Sequence, residues 1–231
     1  MKALELTLKY LTDLTQSGES VVFSTSLGEE DQLLTWIIAE YKLPIEIITL
    51  DTGRLFPESY DLLSRTASKY KLKIKAFYPN QKAIEGYVNN EGINAFYNSI
   101  ELRKTCCGIR KIEPLKRALS GHQHWITGLR AAQSENRQDM EVQGYDEFFQ
   151  INKVNPILHW TDDEMRQVLD DQNIPVNPLH KKGFISIGCA PCTRAIEPGE
   201  HPRAGRWWWE ESKKECGLHQ TNTNESVSKT A

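Results

Sequence analysis

The first two thirds of the chain alternate short apolar runs with stretches whose apolar residues recur at helical spacing. The predicted strands lie at 21–24, 45–50, 73–78 and 125–129, and the predicted helices that follow an amphipathic N-terminal one lie at 31–42, 57–71 and 108–119. Alternation of this kind predicts a parallel sheet with crossover helices on both faces. The predicted fold class is therefore α/β, a Rossmann-like parallel sheet with flanking helices.

The pattern changes after the fourth predicted strand. Residues 152–176 are predicted to form a loop and then a helix over TDDEMRQVLDDQ. From residue 177 the periodicity fades into an irregular C-terminal segment rich in Gly, Pro, Cys, Arg and Trp, a composition that favours a functional segment over a disordered one. We therefore expect a nucleotide-binding α/β domain at 1–176, a C-terminal segment at 177–219 packed on it, and a polar tail at 220–231.

Charge and apolar content exclude several classes of protein. The net charge of −3 gives no reason to expect binding to nucleic acid or to a membrane surface. No apolar run reaches the roughly 20 residues that cross a bilayer, and the N-terminus lacks a signal-peptide profile. We therefore expect a cytoplasmic protein, in which disulfides are rare and five cysteines suggest metal binding or catalysis.

Two loops follow predicted strands at the edge of the sheet where ligands bind. The first reads SLGEED, in which Ser26 and Gly28 are candidate phosphate contacts because the following helix N-terminus supplies N–H donors. The second reads LDTGRLFPES, in which Asp51 could accept hydrogen bonds from a ribose or a base and Gly53 permits a tight turn. Together the loops predict a nucleotide site, although each alone is also an ordinary turn.

Four of the cysteines form two pairs. Cys106 and Cys107 are adjacent, and Cys189 and Cys192 form a CxxC motif. If folding brings the pairs together, they offer four thiolates to an iron–sulfur cluster or to zinc. The adjacent pair favours a cluster, because neighbouring thiolates can each take a different iron. Buried reduced cysteines without a metal are the remaining alternative.

The fifth cysteine, Cys216, lies near the C-terminus in KKECGLH. The neighbouring Lys213, Lys214 and His219 would lower its pKa and raise its thiolate fraction. A packed, unreactive cysteine is the alternative, but the polar and positively charged surroundings favour a reactive thiol.

The combination of motifs resembles the assimilatory sulfonucleotide reductases. The matching stretches run in the family's order from about residue 20 to residue 219: SLGEED, LDTGRLFPESY, KTCCGIRKIEPL, WITGLRAAQS, NPLHKKGFISIGCAPCTRAIEPGEHPRAGRWWWE and KKECGLH. The first loop also resembles the PP-loop of the adenine-nucleotide α-hydrolase superfamily, with Leu27 where a glycine is usual. That departure argues against ATP hydrolysis and is compatible with binding of an adenylate.

The resemblance implies a reaction and its residues. Cys106, Cys107, Cys189 and Cys192 would hold one [4Fe–4S] cluster per subunit, and Cys216 would carry an S-sulfocysteine intermediate. Thioredoxin or a glutaredoxin-like dithiol protein would release the sulfite. The resemblance also assigns cations: Lys111, Arg203, Arg206 and His219 around the phosphosulfate, and Arg130 at a nucleotide phosphate.

The substrate implied by both cysteine pairs is adenosine 5′-phosphosulfate (APS), in sulfate assimilation and cysteine biosynthesis. Its 3′-phosphorylated form (PAPS), or both nucleotides, is the first alternative. An ATP pyrophosphatase of the PP-loop type is the second, although it does not account for ECGLH or PRAGRWWWE. A non-enzymatic metal sensor would need a partner surface that the charge pattern does not indicate, and a homo-oligomer is left open.

Overall fold

One six-stranded sheet organises the fold. The computed structural model describes residues 2–133, 137 and 139–210, and the strands in them are β1 (Val21–Thr25), β2 (Glu46–Leu50), β3 (Ile74–Phe77), β4 (His124–Ile126), β5 (Gln143–Asp146) and β6 (Ile151–Val154). The sheet order is β3-β2-β1-β4-β6-β5, and only the β5–β6 pair among these strands is antiparallel. The predicted α/β fold class is therefore confirmed.

Helices cover both faces of the sheet, as the sequence predicts. The α-helices are α1 (Lys2–Gln16), α2 (Glu29–Glu40), α3 (Pro57–Tyr70), α4 (Gln81–Glu91), α5 (Ile100–Cys107), α6 (Glu113–Leu119) and α7 (Asp162–Asp171). A π-helical turn, Gly108–Ile112, joins α5 to α6. None of the described helices combines the length and apolar character that crossing a bilayer requires.

The central strand β1 has apolar residues at consecutive positions because both of its faces are buried. Phe23 packs into one core with residues of α1, α2 and α7, whereas its neighbour Val22 packs into a second core with Leu115 and Ala118 of α6. Successive side chains of a strand point to opposite faces, so a two-sided sheet needs apolar residues at consecutive positions. This explains why the first strands were readable from sequence.

The direction of chain crossover changes beside β1. This strand pairs in parallel with β2 on one side and with β4 on the other, and Val22 is opposite both Glu46 and Trp125. Ligands of open α/β sheets bind outside the carboxyl ends of the strands at such a switch. The predicted fourth strand, 125–129, ends at Ile126, so the residues after it belong to this edge.

The prediction for 152–176 was wrong at its start. Residues predicted as a loop form β6, which pairs with β4 inside the sheet, while the helix predicted after them is α7. The sequence INKV hides the strand because Lys153 looks like a surface residue. In the structure Lys153 is buried, with Nζ 4.9 Å from the Trp125 ring centroid and 3.7 Å from Asp146 Oδ2.

The helix predicted over 108–119 is α-helical only from Glu113. Pro114 has no N–H to donate to the carbonyl of Arg110, so the regular ladder of hydrogen bonds cannot pass through this point. The chain widens into the π-helical turn instead. Turns of this kind are frequent at functional sites, and this one directly follows the first cysteine pair.

The C-terminal segment is irregular, as predicted. Residues 177–210 contain two short 3₁₀ helices, Pro178–Lys182 and Ala190–Cys192, and an isolated bridge between Thr193 and Arg206. The backbone of Ala190 donates to the carbonyl of Arg54 at 2.7 Å, which ties the segment to the loop after β2. The boundary at 176/177 stays a prediction, and the tail at 220–231 lies outside the described residues.

Candidate active site

A cavity of about 730 Å³ opens at the carboxyl ends of β1, β2 and β4. Its walls come from the loop after β1, from the residues after β4, and from the C-terminal segment. The sequence-predicted site residues that line it are Ser26, Gly28, Lys111, Arg203 and Arg206. Asp51, Gly53 and Arg130 do not line it. The structure therefore brings the first loop together with the predicted cations Lys111, Arg203 and Arg206 around the same cavity.

The first loop is held in its shape by a carboxylate from α2. Leu27 has a left-handed backbone (φ 65°), a conformation that explains why glycine is usual at this position of a PP-loop. Asp31 Oδ2 accepts hydrogen bonds from the backbone N–H and the hydroxyl of Ser26, both at 2.6 Å. Leu27 is buried, and this burial offsets the cost of its strained backbone.

Asp31 also joins the first loop to the turn after β4. Its carboxylate accepts a hydrogen bond from the backbone of Gly128, and a Cβ added at Gly128 would lie 2.1 Å from Asp31 Oδ1. Burial raises the pKa of Asp31 to about 6, although the hydrogen bonds from Ser26 and Gly128 act in the opposite direction. Sequence reasoning missed this residue, and its signal was the third acid of SLGEED.

Arg130 is buried beside this loop and faces carboxylates. Its guanidinium lies 2.9 Å from Glu30 Oε1 and 2.7 Å from Asp162 Oδ1, and it donates to the carbonyl of Trp160. Burial alone would lower the pKa of Arg130, but the two carboxylates outweigh burial and raise it. The predicted contact of Arg130 with a nucleotide phosphate stays a prediction.

The second loop forms a tight turn that supports the CxxC motif. Asp51 Oδ1 accepts hydrogen bonds from the backbone N–H of Gly53 at 2.8 Å and from the hydroxyl of Tyr60 at 2.7 Å. Gly53 has φ 69°, which the turn requires. A role of Asp51 toward a ribose or a base stays a prediction.

Thr52 of the second loop contacts both cysteine regions, and sequence reasoning missed it. The thiol of Cys189 donates to Thr52 Oγ1 at 3.2 Å, and Arg110 Nη1 donates to the Thr52 carbonyl oxygen at 2.5 Å. Thr52 is buried. The loop after β2 therefore fixes the CxxC motif and the π-helical turn relative to each other.

The two cysteine pairs converge. Cys106, Cys189 and Cys192 are buried in one apolar cluster that includes Phe96 and Trp207. All four described cysteines carry reduced thiols. Cys107 is close enough to the CxxC motif for its charge to act on Cys192.

The thiols are in an apolar environment with nearby cations. Burial raises the pKa of Cys192 to about 12, and the charges of Cys189 and Cys107 add to this effect. Lys111 and Arg206 act in the opposite direction and favour the thiolate. Burial likewise raises the pKa of Cys106, which Arg110 counteracts by charge and by a hydrogen bond. A thiolate-binding group would supply the positive charge that four ionised sulfurs need here.

The donor set of the cysteine region determines which group it could hold. Within the described residues no three His, Cys, Asp or Glu side chains surround a point that would hold one metal ion. Four converging cysteine sulfurs are, however, the donor set that holds a [4Fe–4S] cluster. The chemistry of the residues thus fits a cluster.

Cations lie between the thiols and the cavity. Lys111, on the π-helical turn, lines the cavity and also acts on Cys192. The guanidinium of Arg206 is buried 5.1 Å from the Trp207 ring centroid, with Nη1 3.5 Å from Ser186 Oγ. Arg203 precedes it, and its carbonyl accepts from the backbone N–H of Arg206. Cations fixed in this way suit oxyanions.

Among the described residues, no carboxylate pairs with Arg206. A Cβ at Gly188 would lie 2.4 Å from Arg206 Nη2, so the guanidinium packs directly on the glycine backbone. Its Nε is buried and has no hydrogen-bond partner in the described part of the chain. An orphaned donor on a cation in a cavity wall indicates a site for an anion.

Two predicted residues, Cys216 and His219, lie outside the described residues. Glu210 is the last residue that the structure describes, and Cys216 follows it six positions later. The predicted roles of both residues stay predictions.

Comparisons with known proteins agree with the motifs. A family model described as phosphoadenosine phosphosulfate reductase domain matches residues 20–195. A relative from Agrobacterium fabrum named adenosine 5′-phosphosulfate reductase is 49% identical over 203 residues, which cover 87% of this chain and 78% of the relative. A relative of the same name from Allochromatium vinosum is 46% identical over 214 residues, covering 92% and 84%.

Solved structures share the fold. Phosphoadenylyl-sulfate reductase from Candida auris, in complex with phosphate, matches with a TM-score of 0.69 at 23% identity, over 83% of this chain and 91% of that chain. Yeast FAD synthetase in complex with FAD matches with a TM-score of 0.58 at 17% identity, over 84% and 66%. At these identities the two structures show a common fold and nothing further.

Proposed function

Because this chain belongs to the phosphoadenosine phosphosulfate reductase domain family, we propose that it reduces adenosine 5′-phosphosulfate to sulfite and AMP in sulfate assimilation. The names of its relatives support APS over PAPS. The observation that carries the proposal is the convergence of two cysteine pairs beside a cavity walled by Lys111, Arg203 and Arg206. We place the reaction in the cytoplasm, where reduced dithiol proteins are available.

The nucleotide occupies the cavity at the switch of the sheet. The backbone at Gly28 and the N-terminus of α2 bind phosphate through N–H groups. Lys111, Arg203 and Arg206 bind the sulfate end, because fixed cations neutralise the oxygens of a mixed phosphate–sulfate anhydride. We propose that His219 also contacts the sulfate.

Cys216 performs the first chemical step. Its thiolate attacks the sulfate sulfur, an S–S bond forms, and the bond from sulfur to the bridging phosphate oxygen breaks with its electron pair leaving on AMP. Positive charge around the leaving phosphate stabilises the charge that develops there. The product is AMP and an S-sulfocysteine at Cys216.

A dithiol protein of the thioredoxin type completes the reaction. One of its thiolates attacks the Cys216 sulfur, and sulfite leaves with the electron pair of the S–S bond. Its second thiol then resolves the mixed disulfide and restores the Cys216 thiolate. The dithiol thereby loses two electrons, and the sulfur of the substrate gains them.

Cys106, Cys107, Cys189 and Cys192 would hold one [4Fe–4S] cluster per subunit. When bound, it would fix the four thiolates and add an electrostatic influence beside the sulfate. The electrons of the reaction are fully accounted for by Cys216 and the dithiol. Lys111 lines the cavity and its charge also acts on Cys192, so this lysine links the thiols to the sulfate.

The test is anaerobic purification followed by sulfite release with thioredoxin, measured separately on APS and on PAPS. We expect release from APS at a rate at least tenfold above that from PAPS, and iron with sulfide at about four each per chain. Equal rates would contradict the choice of APS, and no release from either nucleotide would contradict the reductase itself.

The matched variant is Cys216→Ser, which should lose sulfite release and keep the iron, the sulfide and the binding of AMP. Sulfite release by this variant would remove Cys216 from the nucleophile role. Loss of iron by the same variant would mean that Cys216, and not one of the four paired cysteines, is a ligand.

A further inference from the structure

A buried ion pair closes the described end of the chain. Arg103 on α5 meets Glu210 in a two-point contact, with Nε–Oε1 at 2.8 Å and Nη2–Oε2 at 2.9 Å. The two side chains are 8% and 4% exposed, so solvent hardly screens the pair. Bidentate contacts between charged groups are among the strongest and most directional hydrogen bonds in proteins.

The pair is connected to the cysteine region on one side and to the cavity wall on the other. Arg103 lies 4.6 Å from the Trp207 ring centroid and forms a hydrogen bond with Cys107. The same ring also contacts Arg206, which lines the cavity. The backbone N–H of Trp207 donates to the carbonyl of Cys192 at 3.2 Å. The position of Glu210 is therefore fixed relative to both.

Trp207 needs this support. Its backbone is left-handed (φ 41°), which is unusual for a bulky residue and persists only where the surroundings hold it. The backbone N–H of Glu210 donates to the Trp207 carbonyl at 2.8 Å, so one turn carries both the strained residue and the carboxylate. Releasing Glu210 would release this turn.

Stability alone does not explain such a pair. A buried ion pair is often no more stabilising than apolar side chains of the same volume, because both charges lose their hydration. Its distinctive property is a single allowed geometry. We propose that Arg103 and Glu210 are positioning residues that fix the starting point of the stretch leading to Cys216 and thereby set the rate of Cys216 attack. This inference rests on the proposed function.

The number of residues between Glu210 and Cys216 sets the size of the expected effect. Six residues lead from Glu210 to Cys216, and a fully extended chain of that length spans about 20 Å at most. Without the pair the nearest backbone hydrogen bond to another described part of the chain is that of Trp207 with the Cys192 carbonyl, nine residues from Cys216. The effective concentration of a tethered group falls with about the −3/2 power of tether length, so lengthening alone lowers it about twofold. Loss of orientation adds to this decrease.

The chain offers a matched control for breaking the pair. Arg194 and Glu200 form another two-point contact, with both distances at 2.8 Å, in the same C-terminal segment but upstream of Arg206. Its side chains are 39% and 32% exposed. Glu210→Gln and Glu200→Gln therefore remove the same charge from the same kind of contact, and only the first lies on the path to Cys216.

The experiment measures S-sulfonation of Cys216 in a single anaerobic turnover at saturating APS, by intact mass, and AMP binding separately by equilibrium dialysis. We expect Glu210→Gln to slow S-sulfonation at least fivefold and to leave the Kd of AMP within twofold. Arg103→Lys, which keeps the charge and loses the two-point geometry, should slow it less. Glu200→Gln should leave both quantities within twofold of the unsubstituted protein.

A second variant leaves the pair intact. Insertion of four Gly/Ser residues directly after Glu210 lengthens the tether from six to ten residues, and we expect S-sulfonation about twofold slower with unchanged AMP binding. Unchanged S-sulfonation in both Glu210→Gln and the insertion variant would overturn the proposal. Failure of the unsubstituted protein to form S-sulfocysteine at Cys216 would instead contradict the proposed function.

Discussion

A buried arginine is found at each of two walls of the cavity, and the surroundings of the two arginines differ in whether carboxylates neutralise them. Beside the sheet wall, which is formed by the loop after β1 and the turn after β4, Arg130 lies just outside the cavity lining; its side chain is 4% exposed and is neutralised by Glu30 and Asp162. On the C-terminal wall, formed by residues 185–206, Arg206 is equally buried, and no ion pair joins it to a carboxylate within the described residues. Its neighbours are a serine hydroxyl, an indole ring and the cysteine region.

The difference separates a structural charge from a functional one. A buried cation that is neutralised by carboxylates serves the fold, because burying it without a partner costs several kcal/mol. A buried cation beside a cavity, without such a partner, retains the capacity to bind an anion. Under the proposed function, the C-terminal wall would therefore bind the sulfate, and the sheet wall would supply rigid backbone.

The largest expected effect is that of Arg206→Leu. Removing a fixed cation from the anion site should lower kcat/KM for APS by about 10² to 10³, a loss typical of a removed oxyanion donor. The free energy of unfolding should change little, because no described carboxylate loses its partner. Arg65→Leu, on the surface of α3, should stay within twofold in kcat/KM. If Arg206→Leu lost stability and kept its activity, Arg206 would be a structural residue and the functional role would be contradicted.

The next effect is that of Arg130→Leu, on stability. This change leaves Glu30 and Asp162 without their cation, and removal of one partner of a buried pair costs about 3 kcal/mol. Urea unfolding measures it. Asp162→Asn is the matched control: the Asp162 side chain is 58% exposed, so solvent screens its contribution and the cost should stay below about 1 kcal/mol. An unfolding free energy unchanged by Arg130→Leu would contradict the structural role.

Two glycines, one at each wall, test the same distinction between a structural and a functional role. A Cβ at Gly128 would meet Asp31 Oδ1 at 2.1 Å, and a Cβ at Gly188 would meet Arg206 Nη2 at 2.4 Å. We expect Gly128→Ala to cost about 2 kcal/mol of unfolding free energy, and Gly188→Ala to lower kcat/KM about tenfold by displacing the guanidinium. Gly144→Ala, which has no atom within 4 Å of its Cβ, should change neither. Equal effects of the first two variants on both quantities would remove the distinction between the walls.

The smallest effect is a pH dependence of stability from Asp31. Burial raises its pKa from 3.8 to about 6 in the folded protein, so the folded state binds the proton more tightly than the unfolded state. Stability from this group is therefore complete below about pH 4 and is lost as pH rises through about 6. Relative to Asp31→Asn, the protein should lose about 1 kcal/mol between pH 5 and pH 7 in urea unfolding. A difference that stays constant with pH would contradict the burial of a titrating carboxylate.

Much of the sheet wall could be predicted from sequence, because its signals are local. Buried parallel strands are apolar at consecutive positions, and the loop SLGEED stands between such a strand and a helix. The inward turn of Asp31 toward Gly128 could not be predicted, since it joins residues 97 positions apart. The two partners of Arg130 are separated from it by 100 and 32 positions, and no periodicity marks them.

For the C-terminal wall, the sequence indicated which residue types matter but not which contacts they make. The cysteine pairs stood out in the sequence, and the structure brings Cys106, Cys189 and Cys192 into one cluster. The roles of Thr52 and Arg103 gave no signal, because an ordinary threonine and an ordinary arginine acquire them only through contacts with distant residues. Strand β6 was missed for the same reason, since the burial of Lys153 depends on Trp125 from the neighbouring strand.

The span of chain that surrounds the cavity bears on how the protein matures. Residues from Ser24 to Arg206 contribute to its walls. Ribosomes add about 5 to 20 residues per second, so roughly 10 to 40 seconds separate the synthesis of the first wall residue from that of the last. During that time a nascent chain can assemble most of the sheet but cannot retain an anion at the missing wall. Capture of the nucleotide therefore requires a chain that has been synthesised at least to Arg206.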